Sequence, residues 1–488
     1  MRKFTISLVP AFVLSLAAAA AAQQGEKPLT TGKDMTDTVK ITVSGRVILD
    51  YVWRGGEITA FTDDGQDGGP PSGPLESNSE NTFEGYLAVG MNIDLSDKVS
   101  AVVEFGSKRV DGGTILNWGN TTAELIQLRE AHVNLGEFLM PALRLQAGLT
   151  TWSFDVRGRG NSFVMDPRHS QSFYRNASVT SDTGLTLTGR AGAPEELEPI
   201  GIWARYSRDL ITLDFVALPA AIEGGGPQDD EAIYAVDFWY NLDSLSKGSR
   251  VGAILALVAG VNPFSTATPI SGADTSVFTL GGGVSLNFMD AALNVYGEVY
   301  LQFGDAGSIA GSTVDAGGMA FQGGVTYTFA GDMKPWVGFN LTYLSGDDDA
   351  PPTTDDEAGA FLSYENINDL IILEDMYFGF DWDTNMFALK FSGGIYLNLG
   401  AGKNNLALEG ILGIVRTAEE VEFATGDESA LGNELDFKAR WIITKQASLS
   451  AAIGLLFGSN VMEESIAASN GQQDDSAILY TFGADLRF

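Results

Sequence analysis

Ile478-Leu-Tyr-Thr-Phe-Gly-Ala-Asp-Leu-Arg-Phe488 is the stretch that decides how this chain is read. Ile478, Tyr480, Phe482, Ala484, Leu486 and Phe488 fall on one face; Thr481, Gly483, Asp485 and Arg487 fall on the other. A period of two marks a strand, because successive side chains point to opposite faces. Aromatic residues stand at both ends of the apolar face, as they do where a membrane strand meets its two interfaces. A sandwich strand alternates in the same way, so the rest of the chain must decide.

Outward from that strand, alternating segments recur at 39–52, 83–94, 99–108, 126–135, 143–149, 200–207, 211–217, 233–240, 251–258, 277–288, 293–303, 319–329, 335–344, 387–399, 406–415, 435–442, 449–457 and 478–488. In 293–303, Leu293, Val295, Gly297, Val299, Leu301 and Phe303 share one face, and Asn294, Tyr296, Glu298, Tyr300 and Gln302 the other. In 435–442, Leu435, Phe437, Ala439 and Trp441 oppose Asp436, Lys438 and Arg440. Stretches 184–188 and 375–380 also look extended, but counting them breaks the alternation of short and long connections. With both left in loops, the short turns at 95–98, 136–142, 288–291, 331–334, 399–404 and 444–447 lie on one side. The sequence therefore predicts an all-β fold, a transmembrane antiparallel up-and-down β-barrel of about 18 strands (range roughly 16–20). A barrel of that size is too wide for side chains to fill, so its lumen is aqueous.

The N-terminus and composition agree. Met1-Arg2-Lys3, an apolar run over 4–16 and six alanines ending at Ala22 read as a secretory signal over 1–22. Residues 23–38 read as a polar lead-in on the periplasmic side, and 39–488 as the barrel. No later stretch is an apolar run of about eighteen residues, so no transmembrane helix is expected. The chain has no Cys, which excludes disulfides and thiolate chemistry. Its 58 glycines and 10% aromatic residues suit many twisted strands. A formal net charge of −34 excludes nucleic acid as a partner.

The charge is unevenly placed. Basic and acidic positions on the inward faces of the strands nearly cancel, so the acidic surplus belongs to the outer loops. The 345–383 connection carries Asp347, Asp348, Asp349, Asp355, Asp356, Glu357, Asp369, Glu374 and Asp375 and no Lys or Arg. It reads either as a solvated, self-repelling surface loop or as an irregular Ca²⁺ site built on Asp347, Asp348, Asp349, Asp355, Asp356 and Glu357. The 152–189 connection is the basic one, with Arg157, Arg159, Arg168, His169 and Arg175 among Phe154, Phe163, Phe173 and Tyr174. Folded inward, it narrows the pore beside the inward-facing Arg144 and Arg205, where guanidinium groups bind carboxylates and aromatic faces stack on sugars. Folded outward, its arginines pair with acidic neighbours instead.

Two resemblances follow from these residues. A last strand ending on an aromatic residue resembles the closing strand of bacterial outer-membrane barrels, which implies that Phe488 is the signal read by the outer-membrane assembly machinery. Leu128-Arg-Glu-Ala-His-Val-Asn-Leu135, Leu143-Arg-Leu-Gln-Ala-Gly148, Trp152 with Asp155-Val-Arg157-Gly158, and Asn340-Leu-Thr-Tyr-Leu-Ser-Gly-Asp-Asp348 resemble alginate-export-type porins. That resemblance implies an eighteen-stranded barrel with an arginine-rich constriction for an acidic polymer, to which Arg144, Arg157, Arg159 and Arg205 correspond by role. The charge-balanced wall and acidic mouth depart from it.

The function these features support is a passive outer-membrane porin of a diderm bacterium, surrounded by outer-membrane lipids and passing small hydrophilic solutes or saccharides. The alternative is a non-catalytic surface-binding or envelope-anchoring barrel whose acidic outer loops hold Ca²⁺. An enzyme needs a positioned base; His132 lies on a strand, and Ser170 and Ser172 are merely adjacent to His169 in sequence. No catalytic residue is assigned, and no cofactor is expected beyond Ca²⁺ at the acidic loops.

Overall fold

In a membrane-spanning sheet every backbone N–H and C=O must pair within the sheet, and only closure removes the unpaired edge. The computed structural model describes residues 39–56, 79–106, 127–149, 154, 200–221, 230–259, 276–309, 312–346, 357–361, 369–374, 385–399, 405–423, 426–461 and 476–488. Its strands are β1 (Lys40–Gly56), β2 (Ser79–Asp94), β3 (Val99–Gly106), β4 (Gln127–Leu135), β5 (Leu143–Leu149), β6 (Ile200–Arg208), β7 (Ile211–Ala221), β8 (Asp230–Asn241), β9 (Arg250–Ala259), β10 (Ser276–Phe288), β11 (Leu293–Ile309), β12 (Ser312–Ala316), β13 (Met319–Thr328), β14 (Trp336–Leu344), β15 (Glu357–Ala358), β16 (Met386–Leu397), β17 (Leu406–Phe423), β18 (Gly426–Thr444), β19 (Ala447–Gly458) and β20 (Ser476–Arg487). Each wall strand pairs antiparallel with the next, and β1 pairs with β20 from Arg46↔Arg487 to Gly56↔Ala477. Among the described residues, β12 and β15 stand outside this ring; the other eighteen strands close the barrel.

All eighteen expected strands are present, and several run further toward the long-loop end than expected. The segment expected at 406–415 continues to Phe423, and the one at 435–442 begins at Gly426. A strand needs only about 9–11 residues to cross a bilayer. Beyond the lipid the ladder continues while the outer face no longer has to be apolar, so period-two reading stops too soon. Two short strands were not expected: β12 pairs with the outer end of β11, and β15 lies parallel to β12.

The two faces separate as the sequence implies. Val295, Val299, Leu301 and Phe303 point out and are exposed, whereas Tyr296, Glu298, Tyr300 and Gln302 point in and are buried. Leu49, Phe215, Leu280, Phe391, Leu412, Phe437 and Phe482 continue the exposed belt around the barrel. A soluble monomer rarely shows a continuous apolar patch larger than a few hundred Å². This face is the lipid-facing surface of a membrane barrel.

Closure is fixed at Phe488. Its backbone N–H donates to the Gly45 carbonyl at 2.9 Å, and its carbonyl accepts from the Gly45 N–H at 2.8 Å. Its ring lies over Gly45, where a Cβ would stand 2.2 Å from a ring carbon. Only glycine accommodates that approach. On the inner side of the same seam, Arg46 meets Asp485 through two bonds of 3.1 Å, and Arg487 meets it at 3.0 Å.

Candidate functional site: the lumen wall and the turn docked on it

At the short-turn end, inward positions of β3 to β6 enclose a recess of about 720 Å³ lined in part by Ser100, Asn134, Arg144, Gln146, Trp203 and Arg205. Arg144 and Arg205 are directly opposed across the β5–β6 ladder. Register, not spacing in sequence, brings them together. Arg205 is committed: it forks onto Asp214 at 2.8 and 2.7 Å and lies 4.6 Å above the Trp203 ring. Arg144 is exposed and has no ion-pair or hydrogen-bond partner among the described residues. At the rim, Lys98 pairs with Glu137, and hydrogen bonding to that carboxylate holds the ammonium above its ordinary range.

Higher on the wall, hydrogen bonds link inward side chains within and across β11, β13 and β14. Asn340 donates to the Tyr296 hydroxyl at 2.5 Å, Thr342 to Asn340 at 3.0 Å, and Gln322 to Thr342 at 3.2 Å. Tyr300 donates to Glu298 at 2.6 Å. Phe154, the one described residue of the basic connection, is buried there. It stacks on Trp239 at 4.6 Å and meets Tyr300 edge-on at 6.3 Å. Arg157, Arg159, Arg168 and Arg175 lie outside the described residues, as do Asp347, Asp348, Asp349, Asp355 and Asp356. Glu357 begins β15.

The solvated reading of the 345–383 connection needs correction at Asp369 and Glu374. Residues 369–374 form one helical turn, closed by the Glu374 N–H on the Leu370 carbonyl at 3.2 Å, and this turn is docked on the inner wall. Leu370 sits on Gly413 of β17 and Ile371 on Gly454 of β19; a Cβ at either glycine would come within 2.6 or 2.7 Å of the side chain above it. Leu370 to Leu373 join the inward Met386, Ala388, Ile411, Val415 and Leu456 in one buried apolar cluster. The inner face is thus apolar where the turn rests, as it also is around Phe154 at Val216, Leu218, Trp239 and Ile254.

Carboxylates hold the turn's backbone. The Ile371 N–H donates to Asp436 at 3.0 Å, and those of Ile372 and Leu373 donate to the two oxygens of Glu434 at 2.7 and 2.9 Å. The Asp369 and Leu370 N–H groups donate to Glu374 at 3.2 and 3.0 Å. Lys390, buried on β16, bridges Asp369 at 3.2 Å and Glu374 at 2.5 Å, and Lys438 donates to the Asp369 carbonyl. Burial pushes the Glu374 carboxyl up to about 7 against the pull of Lys390. Four consecutive aliphatic residues within an acidic connection were the available signal for this turn, since such a run has no place in a solvated loop.

The fold has solved counterparts. OpdK of Pseudomonas aeruginosa, solved with vanillate, has a TM-score of 0.51 at 10% identity, covering 91% of this chain and 99% of its own. A second OpdK structure, described as an outer membrane protein, has a TM-score of 0.51 at 9% identity over 92% and 99%. OccAB1 of Acinetobacter baumannii has a TM-score of 0.51 at 10% identity over 92% and 96%. At these identities the likeness is one of fold. No family model and no curated protein matches the sequence.

Proposed function

We propose that this protein is a passive channel of a bacterial outer membrane for small hydrophilic solutes, selecting anions near its short-turn end. The observation that carries the reading is the Arg144 guanidinium, without an ion-pair partner among the described residues, beside Arg205 in a recess of about 720 Å³ on the lumen wall. A guanidinium presents a fixed fork of donors that matches a carboxylate. Trp203, Gln146 and Asn134 add a ring face and amides in the same recess. The likeness to OpdK, solved with the aromatic carboxylate vanillate, supports an anionic solute. The alginate-export-type resemblance of the β4–β5 hairpin makes an acidic saccharide a further candidate.

The basic connection enters this reading through Phe154. Its burial against Trp239 and Tyr300 supports an inward course for 152–189, with Arg157, Arg159, Arg168 and Arg175 at the constriction. Residues 1–22 act as the secretory signal, and Phe488 as the signal for assembly. No catalytic role is assigned to any residue.

The test is the reversal potential of the reconstituted channel across a KCl gradient. Arg144→Ala should shift it toward cation preference, because Arg205 keeps its charge tied to Asp214. An unchanged reversal potential would remove Arg144, and the recess with it, from the selectivity of the pore.

A further inference from the structure

The charges around the docked turn do not balance. Asp369 and Glu374 come from the turn itself, Glu434 and Asp436 from β18, and Glu409 of β17 stands across the ladder from Lys438. Against these five carboxyls stand, among the described residues, the ammonium groups of Lys390 of β16 and Lys438 of β18 and, one inward position further along β18, the Arg440 guanidinium. The β19 contact is Gly454, which brings no charge. Glu374, Glu434 and Asp436 are fully buried. Glu434 and Asp436, two residues apart on one face of β18, accept backbone N–H groups from the turn. Burial and the neighbouring Asp369 disfavour ionisation of Glu374 against the pull of Lys390, so the docked turn retains a proton. With the turn lifted off, water and counterions reach the same group and the proton is no longer needed.

We infer that the 369–374 turn is a proton-operated latch, docked on the β16–β19 wall while Glu374 holds a proton and released as it ionises. The inference rests on the channel reading only for its consequence, a wider lumen on release. Its sign follows from linkage: the docked form binds more protons than the released form, so raising the pH favours release. For Glu374, the contribution to docking is complete below the ordinary carboxylate range of about 4.3. It is lost as the pH rises through about 7.

The chain has no cysteine, so one introduced thiol reports docking cleanly. Ile371→Cys, beneath the turn, is labelled with a maleimide in the purified full-length barrel from pH 5 to 9. Its rate is divided by that of Asp209→Cys on an exposed turn, which cancels the pH dependence of the thiol itself. The ratio should rise through the neutral range. Asp436→Asn keeps an acceptor for the Ile371 N–H and removes one ionisable group, so it should move the rise to higher pH or abolish it. Glu374→Gln supplies the same test should the first variant fail to insert. A ratio that stays flat with pH, or titrates unchanged in a folded variant, overturns the latch. Labelling that titrates while conductance stays constant would leave the latch standing and overturn its effect on the lumen, whereas absence of any conductance would count against the channel reading.

Discussion

Replacing Leu370 and Leu373 together by Ala should open the barrel on its β16–β19 side. Both side chains are fully buried in the docked turn. Burying an aliphatic side chain is worth about 1.5–3 kcal/mol, so Leu370, Ile371, Ile372 and Leu373 hold the turn by at most roughly 6–12 kcal/mol. Each Leu→Ala change at a fully buried site costs about 2–5 kcal/mol. Even the low end for the pair, about 4 kcal/mol, lowers the docked-to-released ratio about a thousandfold, at about 1.4 kcal/mol per tenfold. The carboxylate anchors compensate little, because Glu434 and Asp436 regain hydration once the turn leaves. The assay is single-channel conductance in a planar bilayer, with circular dichroism to confirm an intact barrel. A larger unitary conductance is expected. The wild-type value from a correctly folded variant would show that the turn does not limit the lumen.

Three further outcomes follow. Gly45→Ala should impair barrel assembly by roughly 1–3 kcal/mol, as overpacking at a tight contact does, because its Cβ meets the Phe488 ring; in a Phe488→Ala background that cost should largely vanish, and equal costs in both backgrounds, read by urea unfolding in detergent, would remove the contact as the cause. Calorimetry should detect weak Ca²⁺ binding at millimolar levels, lost when Asp347, Asp348, Asp349, Asp355 and Asp356 become Asn; no heat of binding leaves that loop a solvated surface. Arg157→Ala with Arg159→Ala should shift ion preference toward cations, and an unchanged preference would place the basic connection away from the pore.

The wall was legible in the sequence because the membrane imposes it. Each crossing must put apolar residues such as Leu280, Phe391 and Phe437 on the lipid side, and parity then assigns Arg144 and Arg205 inward. Their direct opposition was not legible, since it depends on the β5–β6 register. The docked turn was missed because net charge dominated the reading of its loop. Leu370-Ile-Ile-Leu373 and the apolar inward positions Ile411, Val415 and Leu456 each break the expected pattern. Only contact between distant segments makes sense of both. The outer ends of β17 and β18 escaped for a simpler reason: beyond the lipid, hydrogen bonding alone keeps the ladder, and it leaves no trace in side-chain alternation.

Whether the lumen is open to solutes is tested most directly by the swelling of lipid vesicles carrying the purified protein in isosmotic sugar solutions. The account predicts swelling with small sugars, slowing steeply as the sugar grows, since the docked turn and the side chains on the wall leave only part of the barrel's cross-section free. Vesicles that hold correctly folded protein and do not swell in the smallest sugar would contradict it.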